Sequence, residues 1–79
     1  MSLKPPATWP QPDGALVSCR DKLKMLAENH AELAQTMQDT FEDAVLMGVD
    51  ETALRQILRD MVDNLSSPKR ATAPAATQA

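Results

Sequence analysis

The stretch LMGVDETALRQIL, Leu46 to Leu58, decides how this chain folds. Neither glycine nor proline occurs between Gly14 and Gly48, so Gly48 interrupts a long helix-compatible run. A glycine there takes the left-handed conformation past a helix end, and an apolar residue after it, here Val49, packs back on the last turn. Asp50 is then a good N-cap for a new helix, and Glu51 meets the positive end of its dipole. The sequence therefore predicts two helices joined by the short link GVD.

Upstream, the first helix is expected to run from Asp13 to Met47. Asp13 follows Pro12 and can cap it. Gly14 weakens the first turn, and SCRD (Ser18 to Asp21) offers a later, capping-box start. Downstream, ETALRQILRDMVDNL is expected to be helical over 51–65. Leu54, Leu58, Met61 and Leu65 form its stripe, widened by Ile57 and Val62. No proline lies between Asp13 and Ser67, whereas four of the six crowd into residues 1–12. That arm is expected to be flexible, and the tail SSPKRATAPAATQA (66–79) disordered.

Counting in sevens along the first helix aligns Leu16, Leu23, His30, Met37 and Ala44. A second row holds Cys19, Leu26, Leu33, Thr40 and Met47. Together they read as a coiled-coil-like seam. The first helix would be roughly 50 Å long and the second roughly 22 Å. With so short a link the two should pack antiparallel. The expected fold class is all-α: an antiparallel helical hairpin that assembles into a dimeric bundle. Its hairpin core would be Met37, Phe41, Ala44, Met47, Leu54, Ile57, Leu58, Met61 and Leu65. The second helix reaches back only to about Glu32. Leu16, Cys19, Leu23, Leu26, His30 and Leu33 are therefore left without a mate in the same chain. A second copy would cover them, giving a homodimeric four-helix bundle or a tetramer. The other expected partner is a helix of a different protein.

His30, the one histidine, lies where the second helix's cover would run out. It reads as a seam-edge residue bonded to Asn29, Glu32 or water. The alternative is a polar layer that fixes register, which acid would loosen. A metal-ligand role has little behind it. No second His or Cys lies within a turn, and Glu28 and Glu32 at i−2 and i+2 point off its face.

Composition narrows the function classes. Seventy-nine residues make one small domain with little core, which favours oligomerisation. One Trp, one Phe and no Tyr give an enzyme pocket little wall. One His and two glycines furnish neither a catalytic triad with its elbow nor a phosphate loop. Glu42–Asp43 reads as solvated helix face. Met37, Met47, Met61 and Met25 follow helical spacing and read as core filler. No catalytic, cofactor-binding or metal-binding residue is expected. The single Cys19 reads as a small seam hydrophobe in a reducing compartment. No apolar run nears the ~20 residues of a membrane span, and MSLKPPATWPQP has no apolar core of a signal peptide. The expected location is the cytoplasm. The net charge of −3 is uneven, since residues 31–65 set eight acids against Arg55 and Arg59. That balance disfavours non-specific DNA binding.

One segment resembles a known family. ENHAELAQTMQDTFEDAVLMGVDETALRQILR (Glu28 to Arg59) is similar to the central part of the GapR-like nucleoid-associated proteins of alphaproteobacteria. Fainter similarity reaches back to Leu23. The shared features are an acid at Glu28, the apolar step Leu33–Met37 and the group Phe41, Asp43, Ala44. The turn Gly48–Val49–Asp50 and the run Ala53, Leu54, Arg55, Ile57, Arg59 complete the pattern. The resemblance implies a long helix, a tight turn and a second helix, assembled into dimers or tetramers. It also implies an assembly that encircles overtwisted, AT-rich DNA, with Arg55 and Arg59 as matching basic positions. Gln38, Val45, Thr52 and Gln56 stand where the family tends to carry lysine or another polar group. The further basic helical region is replaced by DMVDNL and a short tail. The leading expectation is a non-enzymatic oligomerisation or protein-interaction module: an adaptor, regulator or assembly factor in a bacterial cytoplasm. The alternatives are a DNA-associated protein of the GapR-like kind, or an antagonist of one.

Overall fold

A computed structural model of the chain describes residues 3–69. It holds two helices, α1 (Arg20–Leu46) and α2 (Glu51–Asp63), and no strand among the described residues beyond a single bridge, Pro10 to Leu16. The fold is all-α, as expected. The chain divides into two units, Met1–Met47 and Gly48–Ala79. The tail expected to be disordered lies, from residue 70 on, outside the described residues.

The first helix begins at Arg20, well after the expected Asp13. The reason is a competing local structure. Asp13 Oδ1 accepts from the Ala15 N–H at 2.9 Å, so the carboxylate caps a turn and not a helix. The Gly14 N–H donates to Gln11 O at 2.9 Å, and Gly14 has φ +91°, which other residues reach only with strain. Gln11 N–H donates to Ala15 O at 2.7 Å and Val17 N–H to Trp9 O at 2.8 Å. Residues 9–17 thus close a small antiparallel loop. The arm expected to be free over 1–12 enters this loop, and within the first unit Trp9 meets His30. Nor does the Ser18–Asp21 capping box form. The N-cap is Cys19, with extended backbone and no side-chain cap bond.

The end of α1 follows the sequence closely. Met47 N–H donates to Asp43 O at 3.0 Å and Ala44 O at 3.1 Å. Gly48 then turns left-handed at φ +102°, with nothing near where a Cβ would sit. A substitution there would be resisted by the backbone and not by crowding. Asp50 caps α2: its Oδ2 accepts from the Ala53 N–H at 2.9 Å. At the far end α2 stops at Asp63, short of the expected Leu65, because the Asn64 amide folds back on Asp60 O at 2.7 Å.

On α1 the half-buried residues are Leu23, Leu26, Ala27, His30, Ala34, Gln38, Phe41, Ala44 and Val45. They recur every three or four residues, with adjacent pairs at 26/27 and 44/45, close to the ~3.6 residues per turn of a straight helix. A row counted in sevens keeps one face only if the helix supercoils around a partner. The two descriptions agree from Leu23 to His30, part over residues 33–38 and meet again at Ala44. The straight stripe takes Ala34 and Gln38, while the heptad rows take Leu33 and Met37, which are exposed.

The N-cap makes a specific prediction. Replacing Asp50 with Ala removes the bond to the Ala53 N–H and should cost about 1 kcal/mol of stability, while Asp50→Asn should lose much less. Urea unfolding followed by circular dichroism measures both. Equal midpoints for wild type and Asp50→Ala would show that the cap contributes nothing.

Candidate functional site

Leu54 is the one buried hydrophobic residue among those described, at 6% exposure. Leu58, Phe41 and Ala44, also expected in the core, are half-buried. The other expected core residues lie further out: Met37 is just exposed, and Met47, Ile57, Met61 and Leu65 are well exposed. Of the residues expected to meet a partner, Leu23, Leu26 and His30 are half-buried, and Leu16, Leu33 and Cys19 are exposed. The candidate site is therefore a surface. Each unit carries its own: Leu33 and Met37 on α1 of the first, and Ile57, Met61 and Leu65 along and just past α2 of the second, are apolar side chains that water still reaches.

Polar contacts fill the faces between the rows. Gln35 donates to Asp39 at 2.9 Å, Gln38 to Glu42 at 2.8 Å and Gln56 to Asp60 at 2.8 Å, each one helical turn apart. Lys24 and Glu28 pair at 3.7 Å with the same spacing. Bonds of this kind hold exposed helix with little tertiary help, at roughly 0.2–0.5 kcal/mol apiece.

His30 and Gln38 are the polar residues on the half-buried stripe of α1, and His30 is the ring-bearing one. Its ring meets Trp9 edge-on, with centroids 6.1 Å apart and planes at 75°. Its Nδ1 is sealed from solvent and has no hydrogen-bond partner. The expected bonds to Asn29 or Glu32 are not made through that atom. Sequence reasoning gave this half of the helix no cover from its own chain, and Trp9 supplies some. The sole signal was an aromatic residue standing in an otherwise polar, proline-rich arm.

Cys19 is also placed differently from expectation. It is exposed at the head of α1, and its thiol is pulled below the ordinary value, first by the backbone N–H groups of Lys22 and Asp21. Slight desolvation opposes this, and the charge of Lys22 adds the smallest contribution in its favour. The N–H groups act here as dipoles aimed at sulfur, since no cap bond of ordinary geometry forms.

Two shallow grooves lie on the first unit. One, about 280 Å³, is lined by Gln38, Phe41, Glu42, Val45 and Leu46. The other, about 340 Å³, runs between Leu3, Lys4, Pro5 and Ala31, Ala34, Gln35, Gln38. Neither brings a nucleophile beside a base. Among the described residues no cluster of His, Cys, Asp or Glu could hold a metal ion, and no helix is long and apolar enough to cross a membrane. Arg55 and Arg59 lie exposed one turn apart on α2, whose other charges are Glu51, Asp60 and Asp63. No family model, curated protein or solved structure matches this chain.

Two predictions follow from these placements. Alkylation of Cys19 should titrate with a midpoint below that of a free thiol, and urea should return it to the ordinary value. A midpoint unchanged by unfolding would mean the helix N-terminus has no effect on the sulfur. His30→Leu should raise stability by about 1 kcal/mol. An unsatisfied buried nitrogen costs about 1–3 kcal/mol, more than the roughly 0.5–1.5 kcal/mol of an edge-on aromatic pair. A clear loss of thermal stability would contradict this.

Proposed function

We propose that this chain is a small non-enzymatic helical module whose work is assembly. It pairs with a second copy of itself and serves as an adaptor, regulator or assembly factor in the bacterial cytoplasm. The helical hairpin implied by the short GVD link is the unit that pairs. One observation carries this reading: Leu54 alone is buried, while twelve large apolar side chains stand exposed among the described residues. Exposed apolar surface on that scale marks an interaction site more than a finished monomer. Each such side chain, once fully buried, contributes about 1.5–3 kcal/mol. Three or four at an interface are enough to offset the entropy of association in part, and a two-fold arrangement doubles every contact. Leu33 and Met37, adjacent on one face of α1, are the first choice for the centre of that interface.

A role on DNA has less support. Arg55 and Arg59 are exposed together, but the three carboxylates on the same short helix would repel phosphate. Salt-dependent retention of duplex DNA on a filter is the result that would revive it.

Sedimentation equilibrium tests the assembly reading. The wild type should form dimers in the micromolar range. Leu33→Asp should weaken pairing by roughly tenfold or more, the loss of one buried leucine. Because Leu33 is exposed in the single chain, its helix content should not change. A wild type that stays monomeric throughout the micromolar range would remove the basis for this function.

A further inference from the structure

We infer that the proline-rich N-terminal arm is a displaceable strap that competes with a second copy of the chain for the α1 seam. The inference rests on the assembly reading above and names how that assembly is restrained. The row Leu23, Leu26, His30, Leu33, Met37 changes character in its middle. Leu23, Leu26 and His30 are half-buried, and Leu33 and Met37 are exposed. Trp9 of the arm sits on His30, at the change.

The geometry makes the two occupants exclusive. His30 and Leu33 are separated by only about 4.5 Å along the helix axis. A partner helix is roughly 10 Å across with its side chains. One laid over Leu33 and Met37 and continued along the seam would need the space that Trp9 fills. The strap is also lightly fastened. The backbone hydrogen bonds of residues 9–17 close within their own loop, and none of them runs to α1. Further along, Leu3, Lys4 and Pro5 pass Ala31, Ala34, Gln35 and Gln38 across a groove of about 340 Å³. Trp9 itself remains half-exposed. In the ring that Trp9 meets, His30 Nδ1 is sealed from solvent and has no hydrogen-bond partner while the arm is docked. The docked arm thus holds the Trp9–His30 ring contact beside a stranded polar atom, and an occupant that fits the seam better can displace it.

The test is Trp9→Ala in the full chain, with self-association measured beside the wild type by sedimentation equilibrium. A strap that is docked most of the time lowers the fraction of competent seams, so freeing it should tighten dimerisation by roughly tenfold or more. Circular dichroism confirms that the variant keeps its helices. Should it not, Trp9, the sole tryptophan, decides the question in the wild type. Its emission should shift to the red as rising concentration drives pairing, and a fixed emission through the association range would overturn the strap. If the wild type associates and Trp9→Ala associates equally or more weakly, the strap falls and the assembly reading stands. If both chains stay monomeric, the assembly reading falls and takes the strap with it.

Discussion

A folded chain must withdraw enough apolar surface from water to offset the ordering of its backbone, at about 1–2 kcal/mol for every residue fixed. This chain meets that requirement poorly by itself. Leu54 is its one buried hydrophobic side chain among the described residues, and its longest helix has none. The two helices must therefore draw on local terms, and the apolar rows they carry stay available to another molecule. The caps, the side-chain ladders and the arm on α1 are all responses to this shortage of core.

The local terms are visible in sequence order. α2 begins with a bonded Asp50 cap and an acid in its first turn, and it closes with Asn64 folded onto Asp60. Glutamines reach acids one turn away on both helices. Such contacts, worth a few tenths of a kcal/mol each, bias a segment toward helix without choosing what it packs against. That choice falls to the apolar stripes, and on α1 the stripe itself is divided between two registers.

That division explains what could be read in advance. Gly48 and Asp50 were legible because a turn followed by a cap depends on a few adjacent residues and their own backbone. The start of α1 was not legible in the same way. Asp13 is as able to cap a turn as a helix, and Gly14, Gln11 and Trp9 together decide for the turn. The seam was read with a period of seven, which presumes a supercoil. A helix without one turns at about 3.6 residues, so Leu33 and Met37 drift to the margin of the half-buried stripe while Ala34 and Gln38 enter it. The docking of Trp9 had no periodic signal at all, since an isolated aromatic in an extended arm says nothing about where along a helix it will land.

The drift between the two registers has a functional side. Along the straight stripe of α1, Ala27 and Ala34 are small and half-buried, and Leu3, Lys4 and Pro5 of the arm line a groove with Ala34. A supercoiled α1 would turn Leu33 and Met37 back toward a partner, and these are larger side chains with more to gain from burial. The same helix would thus favour one occupant when straight and another when wound. His30 belongs to both registers, which makes it the residue where such a competition would be felt. Its Nδ1 is left without a partner under Trp9. An occupant that offers this nitrogen a hydrogen bond begins with an advantage that the arm lacks.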